Sequence, residues 1–224
     1  MKVIKRKTQN ELTKQLAEQF NIEDTPHQFH LGDFRDFAHF IETSSIDVIC
    51  TDPPYGIDAD NFGDQAGNAH GYEDSPEYFQ EIMKALANEA SRVTKDKAHA
   101  YIFCDPRNFN SIAALFEERG WDVWPTPLIW DKRNGMLPRP EHGPRRTYEF
   151  ILYANKGDKP VTAVYADVIH FAGLQNPRFG AEKPETVYLN LLRRSVFPGD
   201  KVWDPFAGVG PIFPAANALS VQVY

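Results

Sequence analysis

The chain has 224 residues and a formal net charge of −7; apolar residues make up 42% and aromatic residues 13%. Such a length and composition support one domain with a substantial core, and no apolar run is long enough to cross a membrane. The acidic balance argues against a general nucleic-acid coat but leaves room for an enzyme with segregated charge.

Residues 8–22 read as an amphipathic helix, with Leu12, Leu16 and Phe20 four apart and a capping box formed by Thr8 and Glu11. This helix lies outside everything that carries chemistry, so residues 1–23 are read as an extension and 24–224 as the functional domain. A short strand is predicted over 27–31, ending at Gly32-Asp33, then a helix over 34–41 and a buried strand over 46–50. The long polar stretch 56–75 is a loop, and Pro76 suits the first turn of a helix that runs to about Val93. A strand follows over 98–104 and a helix over 108–119. Strands over 123–130 and 148–154 flank a basic loop, and their short separation predicts antiparallel neighbours. Residues 156–182 are irregular. A helix is predicted over 185–197, a strand over 201–203, a helix over 212–219, and the start of a strand over 221–224. Strands separated by helices predict an α/β fold, a mostly parallel sheet with helices on both faces. Ligands of such sheets bind at the strands' carboxyl ends, where Asp33, Asp52, Asp105 and Asp204 are expected to gather.

Two short motifs stand out. Asp52-Pro53-Pro54-Tyr55 follows the apolar run 46–50. An exocyclic amine of a nucleobase is a poor nucleophile because its lone pair is delocalised into the ring. Two fixed acceptors on its N–H bonds would pull the nitrogen towards tetrahedral geometry. A carboxylate supplies one acceptor and a backbone carbonyl stiffened by prolines supplies the other; an adjacent aromatic ring offers a stacking surface. The same tetrapeptide is also a common turn after a strand, and taken alone the two readings stand even. Asp204-Pro205-Phe206-Ala207-Gly208-Val209-Gly210 follows the strand 201–203. A strand, a glycine loop and a helix let backbone N–H groups approach a ligand, although a lone Gly-x-Gly equally marks a tight turn.

Charge is segregated. Residues 56–77 hold six acidic residues and no Lys or Arg, whereas 131–147 hold five basic residues (Lys132, Arg133, Arg139, Arg145, Arg146) against two acidic ones. Cys50 and Cys104 each end an apolar run and are expected to be buried reduced thiols. The seven histidines show no metal-ligand spacing, and no metal is expected. The basic start runs into polar sequence rather than an apolar signal, so a cytoplasmic protein is expected.

The two motifs together, with Gly32-Asp33 before them, resemble the DNA amino-methyltransferases that use S-adenosylmethionine. The base-handling motif comes first and the cofactor loop last, which is similar to the permuted β class, a class I, Rossmann-like methyltransferase fold. Lys183-Pro184 resembles that class's lysine–proline segment, and Leu128–Lys132 with Arg146–Ala154 resembles its sixth and seventh strands; the similarity covers roughly 27–224. The resemblance implies methyl transfer from S-adenosylmethionine to the exocyclic amine of adenine in double-stranded DNA with the target base flipped out, in a restriction–modification setting. Asp at position 52 leans towards adenine. Asp52 and the carbonyl of Pro53 would hold the amine, with Pro54 stiffening the turn and Tyr55 stacking on the base. Asp204, Phe206, Ala207, Gly208 and Gly210 would hold the cofactor, Asp33 would meet its adenine, and Lys183 and Pro184 would line its methionine end. Lys132, Arg133, Arg145 and Arg146 are candidates for DNA phosphates, a plain solvated loop being an equal reading. A short target-recognition region falls within about 131–182. The resemblance allows a homodimer and no membrane contact.

Two departures matter. Pro211 stands after the second glycine, where the family has a small hydroxyl residue, and cannot donate an N–H. The acidic ribose ligand usual near 20 residues beyond such a loop would fall past Tyr224, so a carboxy-terminal truncation is expected. Cytosine N4 is the alternative target. An inactive remnant that binds DNA without turnover is the alternative of a different class. RNA or protein glutamine as substrate is disfavoured by the motif order.

Overall fold

The computed structural model describes residues 27–57, 73–133, 144, 146–175 and 182–224. The helix expected over 8–22, Arg145 and most of the acidic loop lie outside them. Helix α1 (Phe34–Phe37) runs into a 3-10 turn (Ala38–Phe40) and is followed by strand β1 (Ile46–Thr51). Helix α2 (Pro76–Val93) buries Phe79, Ile82, Met83, Leu86, Ala87, Ala90 and Val93, a run at helical spacing. Pro76 sits in its first turn and the Ser75 hydroxyl accepts from Tyr78 N.

Helix α2 feeds directly into strand β2 (Thr94–Cys104), and then come α3 (Phe109–Glu117), β3 (Asp122–Val123), β4 (Leu128–Asp131), β5 (Tyr148–Lys156) and β6 (Val168–His170). Helix α4 (Glu185–Leu192), strand β7 (Lys201–Trp203), helix α5 (Ile212–Leu219) and strand β8 (Gln222–Val223) complete the described chain. The strands form one sheet in the order β6-β4-β5-β2-β1-β7-β8, with β3 beside β5. β1 runs parallel to β2 and β7, β7 to β8, and β4 to β6; β5 runs antiparallel to β2, β3 and β4. The sheet is therefore mixed, with the antiparallel pairs in the half that holds β5, as the short basic connection predicts.

Side chains alternate between two cores. Ala98, Ala100, Ile102 and Cys104 of β2 join α1, α2 and α3 on one face. Tyr101 and Phe103 join α4 and α5 on the other. Both cysteines are buried free thiols. No helix among the described residues is long and apolar enough to cross a membrane.

Four expected segments differ from those observed. Within 156–182, read as irregular, Val168–His170 form β6 by pairing parallel to β4. Residues 27–31 are irregular: Gln28 N donates to Val223 O, but His27 Nδ1 takes the Val223 N–H that a ladder carbonyl would have taken. The expected strand 123–130 is split into β3 and β4 because Pro125 and Pro127 offer no N–H. The expected helix 185–197 stops at Leu192, and Thr162 takes the carbonyls of Arg193 and Arg194 through its hydroxyl and its N–H.

Candidate active site at the carboxyl rim of the sheet

Asp52, Asp105 and Asp204 each follow the last residue of a strand, β1, β2 and β7, and these three strands are mutually parallel neighbours. Three of the four predicted carboxylates therefore share one rim. Asp33, the fourth, precedes α1 as its N-cap and follows no strand. Because β5 is antiparallel, it enters the sheet at this same rim, which brings Glu149 to the site. β4 leaves there, which brings Lys132.

The tips of β1 and β7 are joined directly. Thr51 Oγ1 donates to Asp204 Oδ1 over 2.6 Å, and Phe206 N donates to Thr51 Oγ1 over 3.3 Å and to Asp204 Oδ1 over 3.2 Å. Asp204 Oδ2 is buried and has no hydrogen-bond partner among the described residues. Burial pushes the Asp204 carboxyl up to about 7, against the lowering effect of Thr51 and Phe206 N. The loop turns tightly after it: Gly208 and Gly210 have φ of +55° and +75°, and Gly210 N donates to Ala207 O over 2.7 Å. A Cβ on Gly208 would meet only Phe206 O, at 4.0 Å, so the loop has open space on that side. Pro211, with φ −63°, is the N-cap of α5 and is compatible with the helix it opens.

Around Asp52 lies a buried polar cluster. Lys183 Nζ is 2.6 Å from Asp52 Oδ2 and 3.4 Å from Glu149 Oε2. Tyr55 OH donates to Asp52 Oδ1 at 3.0 Å or to Glu149 Oε2 at 2.8 Å. Lys132 Nζ closes the far side on Glu149 Oε1 at 2.9 Å. The Lys183 ammonium also lies 5.4 Å from the Tyr55 ring centroid. Burial alone would raise Glu149, but Lys183 and Lys132 outweigh it and bring it down to about 2. Burial dominates at Asp52: with one lysine, and with Glu149 repelling it, its carboxyl stays above the ordinary aspartate value. Burial opposes the charge on Lys183, yet Asp52 and Glu149 together hold it cationic. The backbone of the tetrapeptide is also fixed. Asn108 Nδ2 donates to Tyr55 O over 2.5 Å, and the Asp74 carboxylate accepts from the N–H groups of Gly56 and Ile57 at 2.6 and 3.3 Å.

The other predicted residues fall as follows. Pro53 and Pro184 are buried, and Pro54 is half-buried. Asp33 accepts from Arg35 N, Nε and Nη2 at 2.6–3.1 Å, and Arg35 also touches Glu81. Its neighbour Phe34 packs edge-on against Phe206 of the glycine loop, 5.2 Å between centroids. Arg133 is exposed, with φ +56°. Arg146 is paired with Asp105. Lys132 is directed inward to Glu149 rather than outward. No group of His, Cys, Asp or Glu suited to a metal occurs among the described residues.

Glu149, Thr51 and Asn108 have no assigned role in the sequence reading, and Asp105 is placed there at the rim without one. Of the first three, Glu149 alone had a usable signal, an acidic side chain at the mouth of an otherwise apolar strand.

A family model described as DNA methylase matches residues 46–178, more than half of the chain. The Type II methyltransferase M.HpaI of Haemophilus parainfluenzae is 25% identical over 196 residues, 77% of this chain and 60% of that protein. The chain thus spans about three-fifths of the length of this curated relative. Among solved structures, the M1.HpyAVI–SAM complex superposes with a TM-score of 0.60 at 21% identity, covering 85% of this chain and 86% of that one. The cytosine-N4-specific PvuII DNA methyltransferase superposes with a TM-score of 0.66 at 14% identity, covering 87% of this chain and 79% of that one. The similarity in fold is that of an α/β methyltransferase.

Proposed function

This chain belongs to the DNA methylase family whose model matches residues 46–178, and from that membership we propose that it methylates the N6 amine of an adenine extruded from duplex DNA, with S-adenosylmethionine as cofactor. The observation that carries this reading is the rim shared by Asp52 and the Asp204–Gly210 loop, tied together by Thr51 and Asp204 at 2.6 Å.

The residues at the tip of β7 suit the cofactor. Asp204 Oδ2, buried without a partner among the described residues, is an acceptor ready for a cationic amino group. Phe206, Ala207, Gly208 and Gly210 form an approachable turn, and Lys183 with Pro184, just before α4, are the proposed lining of the cofactor's methionine end. Asp33 would take the amino group of the cofactor's adenine. Three N–H donors of Arg35 sit on its carboxylate, which has about four lone-pair positions, and its side chain is 30% exposed, so capacity remains for that amine. Bound there, S-adenosylmethionine supplies a methyl group carried on a positively charged sulfur.

Asp52 and the Pro53 carbonyl are the two acceptors for the target amine. An ionised carboxylate has about four lone-pair positions, and Lys183 and Tyr55 use two of those on Asp52. Capacity remains for an amine N–H without breaking the cluster. Holding both N–H bonds concentrates the lone pair on nitrogen. On methylation the S–CH3 bond would break, its electron pair staying on sulfur, as the N–C bond forms, and Asp52 would accept the one proton that the nitrogen sheds. Lys183 and Tyr55 keep Asp52 oriented, and Glu149 keeps Lys183 and Tyr55 in place. Tyr55 is the proposed stacking surface for the base, and Arg133, Arg145 and Arg146 the proposed phosphate contacts; Lys132, read in the sequence as a fourth, is held on Glu149 instead.

The test is transfer of labelled methyl groups to duplex DNA, followed by digestion to nucleosides. Label in N6-methyladenine with the wild type and none with Asp52→Ala supports the reading. Label in N4-methylcytosine moves the target to cytosine, whose amine the same two acceptors would hold. Equal labelling by wild type and Asp52→Ala sinks the role of Asp52. DNA binding without label from the wild type favours a binding protein without turnover.

A further inference from the structure

Beside the catalytic cluster lies a group of charges that the proposed chemistry does not use. Asp105 is 1% exposed, at the end of β2. Its carboxylate accepts from Arg107 N at 2.9 Å, Arg107 Nε at 2.9 Å and Nη2 at 3.4 Å, and from Arg146 Nη1 at 2.8 Å. The two arginines come from segments that flank neighbouring strands, one after β2 and one before β5. Their side chains remain 60% and 45% exposed, so each guanidinium meets the carboxylate on one edge and solvent on the other.

A buried carboxylate needs compensation, and one bidentate arginine would satisfy it. Two arginines on one aspartate leave a surplus positive charge with N–H donors facing outward in fixed directions. Asp74 acts on Arg107 electrostatically and offsets part of this charge, but it hydrogen-bonds to the Gly56 and Ile57 amides rather than to the guanidinium, so it does not occupy the Arg107 N–H donors. The start of α3 adds to the field: Asn108 makes no side-chain cap there, and no acidic residue occupies its first turn.

Position matters as much as charge. In the register of β1 and β2, Thr51 faces Ile102, so Asp52 falls opposite Phe103 and Asp105 lies two residues further along. At about 3.3 Å per residue and about 4.8 Å between strands, Asp105 stands about 8 Å from Asp52. That is comparable with the reach from a base edge through its sugar to its own phosphates. Arg107 is also adjacent to Asn108, which holds the Tyr55 carbonyl.

We propose that Arg107 and Arg146, splayed on Asp105, form a clamp for a backbone phosphate of the DNA strand that delivers the target base. The proposal rests on the DNA reading above. It adds Arg107 to the interface and makes Asp105 the positioning residue for both arginines. Preset guanidiniums suit a phosphodiester better than mobile lysines, because two parallel N–H bonds can form with little ordering.

The experiment measures binding of the full chain to a mixed-sequence duplex by fluorescence anisotropy over a range of salt, with wild type, Arg107→Gln, Arg146→Gln and the double variant. Glutamine keeps a donor for Asp105, and thermal melts verify folding. A clamp on one phosphate predicts that the double variant loses about 0.9 from the slope of log K against log salt, uniformly across sequences. It also predicts that the two single losses are not additive. Should glutamine unfold the chain, the paired Arg107→Lys and Arg146→Lys variant is used. It should keep the wild-type slope and bind several-fold more weakly. A double variant with wild-type slope and affinity overturns the clamp alone, as does a lysine pair with wild-type affinity. A wild type that shows no salt-dependent binding to the duplex overturns the DNA reading and the clamp with it.

Discussion

The hydroxyl of Thr51 and the carboxylate of Asp204 are 2.6 Å apart across the junction of β1 and β7. Through this bond the strand tip proposed to hold the base and the tip proposed to hold the cofactor are mechanically one unit. Thr51→Val keeps the shape and removes the donor, leaving Asp204 Oδ1 with Phe206 N alone. Loss of about 1–3 kcal/mol in stability is expected for the unsatisfied carboxylate, together with weaker cofactor binding by calorimetry. Thr51→Ser should restore most of both.

Asp204 itself should confer a pH dependence. Its folded carboxyl is raised to about 7 from an ordinary 3.8 by burial. Between these values the folded state holds a proton that the unfolded chain has lost, so this group's contribution to stability falls as pH rises and levels off above 7. A cationic group beside Oδ2 would reverse the balance. Cofactor affinity is therefore expected to climb as pH passes through about 7, with proton release on binding detectable in buffers of different ionisation enthalpy. Asp204→Asn should flatten both profiles.

Removal of the shared cation is predicted to be severe. Lys183→Met leaves Asp52, Glu149 and Tyr55 facing one another in a site where both carboxylates are about 15% exposed or less. Stripping one partner from a buried ion pair costs about 3–5 kcal/mol, read from chemical denaturation. Asp52 loses the attraction that opposes its burial, so the acid limb of methyl transfer should move to higher pH. Glu149 contributes with the opposite sign to Asp204. Its folded carboxyl is depressed to about 2 from 4.5, so the stability it adds is complete above about 4.5 and disappears as pH falls towards 2. Lys183→Met should erase much of that acid-side slope.

Gly56 is fixed by its backbone and by its neighbour. It has φ +66°, and a Cβ there would fall 2.6 Å from Phe79 Cβ of α2. Gly56→Ala meets a left-handed penalty of about 1–2 kcal/mol and an overpacking cost of about 1–3 kcal/mol. A lower Tm is expected, with methyl transfer reduced as well, because the Asp52–Tyr55 turn runs directly into this residue. An alanine variant with unchanged Tm would mean that the turn and α2 are free to separate.

The readable parts of this fold are those in which local pattern and tertiary role coincide. The helical spacing of Phe79, Ile82, Met83 and Leu86 marks the buried face of α2, and Asp204 to Gly210 marks a strand, a turn and a helix in seven letters. Asp52, Asp105 and Asp204 gather because strand ends gather in a parallel sheet, a rule that needs no contact information. The rest depends on partners far away in sequence. Glu149 reads as one acid in an apolar strand until antiparallel pairing with β2 brings it to Lys183. Residues 27–31 have strand-like composition, but the imidazole of His27 occupies the ladder position. Lys132 reads as an outward cation, and the geometry turns it towards Glu149.

The contact of residues 27 and 28 with Val223 has a further consequence. The first and last described stretches of the domain lie side by side at the β8 edge, so a short linker could join them there. A new opening could then be cut at the exposed turn of Phe197, Pro198 and Gly199. The rewired chain would begin with the glycine loop and finish with the helix before it, yet lay down the same sheet. Motif order in this architecture is thus a matter of where the ribbon is cut, and a circularly permuted version is expected to fold.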